Sequence, residues 1–231
     1  MLEAQKMQRI YNIQRQLQEK FRATPNGTKV EYLGKMFMGL PTVFWPSWDS
    51  QALIKNYKIN PGEEVLDVCT GSGVIAIFSA IKGAKKVVAL DINPEEIKCV
   101  KENTIVHHVE KILDARVSNM FAALEVKEKF DVITMNPPFT PHTASDFLEK
   151  TVWGANLEVH KTFFKEVKRH LKKKGRIYIC QAKFGAIEEM NSLATENGFS
   201  VRKIGETKLD EDRIFYAFEI IIGDLDNINQ V

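Results

Sequence analysis

Leu66-Asp67-Val68-Cys69-Thr70-Gly71-Ser72-Gly73 is the stretch on which the fold turns. The run Glu64 to Cys69 reads as a buried strand, and a helix opens near Ser72. Glycines at such a junction permit a tight turn and let a ligand approach the backbone closely. A ligand is therefore expected at the N-terminus of that helix.

Outward from this turn, strand and helix patterns alternate. Strands are predicted at Lys86 to Ile92, Ala115 to Met120, Phe130 to Asn136 and Arg176 to Ala182, with helices over 47–57, 94–107 and 157–172. This implies an α/β class: a Rossmann-like, seven-stranded, mostly parallel sheet with helices on both faces. After a helix at 184–197, the runs 200–208 and 213–222 are separated only by Asp210-Glu211-Asp212, so an antiparallel C-terminal strand pair is expected. Toward the N-terminus, Leu2, Met7, Ile10, Ile13, Leu17 and Phe21 recur at helical spacing, and residues 2–22 read as an amphipathic helix ended by Pro25-Asn26-Gly27. Residues 29–45 read as a short hairpin that covers part of a binding site.

Bulk properties narrow the class without naming a substrate. A chain of 231 residues, 44% hydrophobic, can bury one sizeable core. Lys plus Arg at 32 against Asp plus Glu at 30 neither demands nor excludes a nucleic-acid partner. Cys69, Cys99 and Cys180 lack the paired short spacing of metal or disulfide frameworks and read as reduced thiols. His107-His108 has no Cys or acidic companions at ligand spacing, so no metal is expected. The first 20 residues hold no continuous apolar stretch, from which a cytoplasmic location and no membrane partner are expected.

The glycine turn alone leaves two cofactors open, because Gly71-Ser72-Gly73-Val74-Ile75-Ala76 also fits the dinucleotide pattern G-x-G-x-x-A. Asp67 favours S-adenosyl-L-methionine: an acid at the first strand's end would repel a pyrophosphate but suits the ammonium of a methionine moiety. Cys69, Thr70 and Ser72 share that turn as candidate cofactor contacts. Asp91, followed by Ile92, closes the second strand about 20 residues later, where a carboxylate accepts from both ribose hydroxyls. Asn119, with Met120, falls after the third strand, beside the expected place of an adenine ring.

Met135-Asn136-Pro137-Pro138-Phe139 ends the fourth strand and carries the chemistry. Two prolines fix the backbone and remove its donors, so only carbonyls and side-chain acceptors face the site. A conjugated amine or amide must have its lone pair drawn out of conjugation before it can attack a sulfonium methyl, and acceptors on its N–H groups achieve this. The Asn136 oxygen and the Pro137 carbonyl can supply them while Phe139 stacks on the planar target. No catalytic role is assigned to His142, Asp146 or Glu158. The basic run His160-Lys161, Lys165, Lys168-Arg169 and Lys172-Lys173-Lys174 fits a phosphate track, but fits better the solvated face and last turn of a helix whose Phe163, Phe164, Val167 and Leu171 point inward.

From about Glu31 to Ile222 these motifs resemble the small-domain Rossmann-like methyltransferases. Tyr32-Leu33-Gly34, Phe37-Met38-Gly39-Leu40, Pro46-Ser47-Trp48-Asp49-Ser50 and the Asp67–Gly73 turn look like the HemK-type release-factor glutamine methyltransferases, a branch that methylates a protein amide. Ser118-Asn119-Met120-Phe121, Phe130-Asp131-Val132-Ile133 and Asn136-Pro137-Pro138-Phe139 are similar instead to ribosomal RNA guanine amino-methyltransferases, a branch that methylates a base. Cys69 stands where the family usually has glycine, and a single N-terminal helix stands where HemK-type enzymes carry a larger helical domain. The resemblance implies an extension over 1–45, a methyltransferase catalytic domain over 46–223 and a tail over 224–231, acting on a macromolecular substrate, whether RNA, DNA or protein. A nicotinamide-dependent oxidoreductase and a non-catalytic binding protein of the same fold are the alternatives.

Overall fold

The computed structural model describes residues 3–140, 144–150, 154 and 157–223; Leu2, His142 and the expected tail 224–231 lie outside them. Strands β3 (Glu64–Val68), β4 (Lys86–Asp91), β5 (Leu113–Val117), β6 (Phe130–Met135), β7 (Leu171–Ala182), β8 (Phe199–Lys208) and β9 (Ile214–Ile222) form one sheet. Their spatial order is β5-β4-β3-β6-β7-β9-β8. The first five run parallel, β9 is antiparallel to both β7 and β8, and a separate hairpin joins β1 (Thr28–Tyr32) to β2 (Lys35–Gly39).

Strand periodicity sorts the core into two layers. Val65, Val87, Val132 and Tyr178 face helices α2 (Trp48–Asn56) and α3 (Val74–Ile81), whereas Leu66, Val88, Ile133 and Ile177 face α6 (Glu158–Glu166) and α7 (Ile187–Glu196). Helix α4 (Pro94–Val106) closes the first layer through Val100, and α5 (Phe147–Lys150) is a single short turn. Among the described residues no helix is long and apolar enough to cross a membrane.

Three local expectations are corrected. The helix expected over 157–172 ends at Glu166, continues as a 3-10 turn over Val167–Arg169, and gives way to a twelve-residue strand from Leu171. Lys172 is therefore a strand residue in an irregular stretch, where it bridges Glu64 at 2.9 Å and Asp131 at 2.8 Å. His160, expected among solvated cations, is fully buried, while Phe163, Phe164, Val167 and Leu171 do point inward. Helix α1 (Glu3–Arg22) buries Ile10, Gln14, Gln18 and Phe21 and leaves Leu17 exposed, so its inner face is rotated from the apolar stripe. Gln14 is accommodated because its amide donates to the Thr140 hydroxyl at 2.5 Å.

Asp67 departs most from its expected role. It is fully buried in β3 opposite Thr134 of β6, whose hydroxyl donates to Oδ1 at 2.6 Å, and Thr70 donates to Oδ2 at 2.6 Å. Burial raises its pKa to about 6 despite those two bonds. Because the folded state holds this proton more tightly than the unfolded chain does, stability falls as pH rises from about 4 through 6, by roughly 3 kcal/mol at most. The isosteric Asp67→Asn should therefore resist urea better than wild type at pH 8, by about 1–3 kcal/mol, with the gap closing toward pH 4. Parallel urea titrations at the two pH values check this, and an equal difference at both would contradict it.

Candidate active site

The parallel strands β3, β4, β5 and β6 end on one edge of the sheet, and their following loops enclose a cavity of about 390 Å³. It lies where connections from β3 and β6 leave to opposite sides, the place where open α/β sheets bind ligands. Cys69, Thr70, Gly71 and Ser72 come from the β3–α3 turn; Asp91 and Ile92 from β4; Asn119 and Met120 from the β5 end; Asn136, Pro137, Pro138 and Phe139 from the β6 end. All twelve were expected in the site, and all line this one cavity.

Two expected residues do not. Asp67 sits beneath the floor, fully buried, its two oxygens accepting from the Thr70 and Thr134 hydroxyls. Gly73 caps α3 at φ +83, and a Cβ there would lie 3.0 Å from Val100, so its role is close helix packing. Gly71, at φ +54, does line the wall and keeps the backbone open to a ligand. Cys69 holds φ +57, a left-handed conformation that costs a side-chain-bearing residue about 1 kcal/mol and explains why glycine is usual at this place.

The Asp91 carboxylate is positioned by the backbone it also shapes. Its two oxygens accept from the N–H groups of Gly71 and Asn93, each at 3.0 Å, and burial raises its pKa against these two bonds. Each oxygen retains a lone pair for a diol. The Asn119 side chain is exposed at the rim.

A second wall was only partly foreseen. Residues 29–45 were expected as a hairpin that covers a site; the paired strands end at Gly39, and it is Phe44 and Trp45, near the end of that stretch, that line the cavity. Three polar side chains of the α4 region hold this segment in place. The Asn93 amide donates to the Thr42 carbonyl at 3.2 Å, Glu96 accepts from the Phe44 N–H at 2.7 Å, and Asn103 bridges Met38 to the Ser72 carbonyl at 3.0 Å. Glu96 is fully buried with its Oε2 unpartnered, and burial together with the nearby Asp91 charge raises its pKa well above the ordinary value. No spacing rule in the sequence marks Glu96, since an acid in a helix's first turn reads as a favourable dipole contact.

At the β6 end, the Asn136 Nδ2 donates to Asp49 Oδ2 at 2.8 Å, leaving Asn136 Oδ1 buried and, among the described residues, without a partner. Phe139 leans against Phe184 and Phe215, with ring centroids 5.7 and 5.9 Å away. Glu158 also lines the cavity, whereas Asp146 is paired with Arg22 at 2.5 Å.

Comparison with known proteins identifies what is built on this frame. The methyltransferase small domain model matches residues 37–203, more than half of the chain. A provisionally assigned protein N5-glutamine methyltransferase of Methanocaldococcus jannaschii is 34% identical over 167 residues, covering 70% of this chain and 83% of that one. A release factor glutamine methyltransferase of Koribacter versatilis is 35% identical over 127 residues, which make up 53% of this chain and 45% of that protein. Among solved structures, a 16S rRNA N2 methyltransferase of T. thermophilus in complex with AdoMet and guanosine superposes with a TM-score of 0.65 at 19% identity, covering 86% of this chain and 50% of that one. The last likeness shows the fold alone; the family match and the M. jannaschii relative go further, and on them the chain belongs to the methyltransferase small domain family.

Proposed function

We propose that this protein transfers a methyl group from S-adenosylmethionine to a planar, conjugated nitrogen, and that its acceptor is a glutamine side-chain amide of a protein. The carrying observation is the Asn136 Oδ1, buried and unpartnered among the described residues, beside two prolines that offer carbonyls and no N–H. Buried polar atoms without partners are uncommon, and this one suits an incoming donor. Asn136 Oδ1 and the Pro137 carbonyl would each take one N–H of the amide, turning the nitrogen lone pair out of conjugation. Phe139, backed by Phe184 and Phe215, offers a flat face that fixes the target plane.

The cofactor half supports the same reading. Asp91 would hold the ribose diol, Asn119 the adenine edge, and the open backbone at Gly71 the methionine side. When bound, S-adenosylmethionine supplies a sulfonium methyl group: the acceptor nitrogen's lone pair forms the N–C bond, the C–S pair stays on sulfur, and one N–H proton passes to water. The residues then act by positioning and electrostatics. A protein amide is favoured over a base because the relatives at 34% and 35% identity are both named for glutamine, whereas the guanosine-bound neighbour shares only the fold. A nicotinamide reaction has no support beyond the glycine pattern, and a non-catalytic scaffold has no use for the unpartnered Asn136 oxygen.

Three outcomes are expected. With tritiated-methyl S-adenosylmethionine and cell extract, label should enter protease-sensitive material, and acid hydrolysis should release it as volatile methylamine, the product of an N-methyl amide; label confined to nuclease-sensitive material would overturn the acceptor. Asn136→Ala should lower turnover by about 10²–10³-fold with cofactor affinity within about threefold, as loss of a group aimed at the reacting atom does. Asp91→Ala should weaken S-adenosylmethionine binding by about 10–100-fold in calorimetric titration, the size expected for hydrogen bonds to a charged group.

A further inference from the structure

We propose that Asp49 is a positioning residue that fixes which end of the Asn136 amide faces the acceptor nitrogen; the inference rests on the reading of Asn136 given above. Asp49 stands in the first turn of α2, 3% exposed, and lines the same cavity as Asn136 although 87 residues separate them. An ionised carboxylate only accepts, so it draws the amide's NH₂ end, and the observed 2.8 Å bond from Nδ2 to Oδ2 leaves Oδ1 turned the other way. Without that partner the two ends of Asn136 become nearly equivalent in size and shape. The amide could then offer its NH₂ toward the N–H groups of the substrate, donor against donor.

The first turn of α2 is itself held in place. The Cys180 thiol of β7 donates to the Asp49 carbonyl at 3.3 Å, Ser50 donates to the Ser47 carbonyl at 2.9 Å, and the Tyr32 hydroxyl meets Ser50 Oγ at 2.9 Å. The N-terminus of the helix favours a negative charge there. Burial nonetheless raises the pKa of Asp49, with the Asn136 bond opposing the shift. Asp49 Oδ1 is also buried and, among the described residues, unpartnered. A buried carboxylate with one oxygen on an amide and the other without a partner among the described residues is an expensive arrangement for stability alone. Orientation of Asn136 accounts for it.

The test uses the full chain with tritiated-methyl S-adenosylmethionine and bulk extract protein as acceptor. Asp49→Ala should lower the saturated rate by about 10–100-fold while KM for S-adenosylmethionine moves less than about threefold. Asp49→Asn keeps an oxygen able to accept from Asn136 Nδ2 and should bring the rate back to within about tenfold of wild type. If Asp49 acts through Asn136, the double variant Asp49→Ala/Asn136→Ala should be no slower than Asn136→Ala alone, because residues working as a unit are non-additive. Should Asp49→Ala fail to bind cofactor, Asp49→Ser, too short to reach Nδ2, carries the same expectations. An Asp49→Ala or Asp49→Ser protein as fast as wild type, an Asp49→Asn as slow as Asp49→Ala, or losses that multiply in the double variant would each overturn the inference. Full activity in Asn136→Ala would instead bring down the reading on which it rests, so the two failures are told apart.

Discussion

Two hydroxyl-to-carboxylate hydrogen bonds at the centre of the sheet tie the site together. Thr134 and Thr70 both close on Asp67, one from β6 and one from the β3–α3 turn. Thr134 lies two residues before Asn136, and Thr70 lies one before Gly71. A single buried acid thus couples the strand end that presents the acceptor loop to the turn that presents the cofactor loop. The parallel register, with Asp67 opposite Thr134, makes this possible, because parallel neighbours deliver their carboxyl ends to the same edge. The coupling carries an electrostatic cost, since burial works against the ionised form of Asp67.

Most of the framework was legible in the sequence because the signals that define it are local. Strand and helix periods, the glycine turn, Asp91 and the Asn-Pro-Pro-Phe loop each speak within a few residues, and twelve residues so identified meet in one cavity. Failures arose where tertiary contacts override local pattern. Lys172, Lys173 and Lys174 look like the end of a helix, yet β7 begins before them because Lys172 finds Glu64 and Asp131 across the sheet. Gln14 and Gln18 look like solvent-facing residues, yet they lie inward, where Thr140 satisfies Gln14. Asp67 illustrates a different failure. Its residue type and place suit a ligand, but whether an acid at a strand end faces a cavity or its neighbouring strand depends on threonine 67 residues further along. Asp49 appeared only as a member of the Pro46–Ser50 motif with no role attached, and Glu96 left no trace, because their meaning lies in partners from other elements.

The N-terminal segment is fastened by side-chain hydrogen bonds as well as by apolar packing. Asn93, Glu96 and Asn103 are all nearly or fully buried, and each holds a backbone group from the stretch between Met38 and Phe44. A small apolar group of Phe21, Leu40, Val43, Trp45 and Cys99 lies under them. Through Asn103, which also bonds the Ser72 carbonyl, the same fastening reaches the cofactor turn. Buried hydrogen bonds of this kind add little net stability one by one but cost heavily when a partner is lost, so they specify a position more than they strengthen a fold. Phe44 and Trp45 consequently form a wall of fixed shape beside the cofactor turn.

On the proposed reading, the β6 side of the cavity would select its acceptor by the groups it offers. Pro137 and Pro138 contribute no N–H, Asn136 spends its NH₂ on Asp49, and Asn136 Oδ1 and Asp49 Oδ1, both acceptors when Asp49 is ionised, are left without a partner among the described residues. A carboxylate or an ester carbonyl entering this pocket would meet oxygen with oxygen, losing its water without a replacement, a penalty of a few kcal/mol. A primary amide or an exocyclic amine arrives with two N–H groups and loses nothing. On the proposed reading the discrimination would be set before any chemistry occurs, by the direction in which one asparagine points, and that direction would be imposed from a helix whose sequence is distant from the loop.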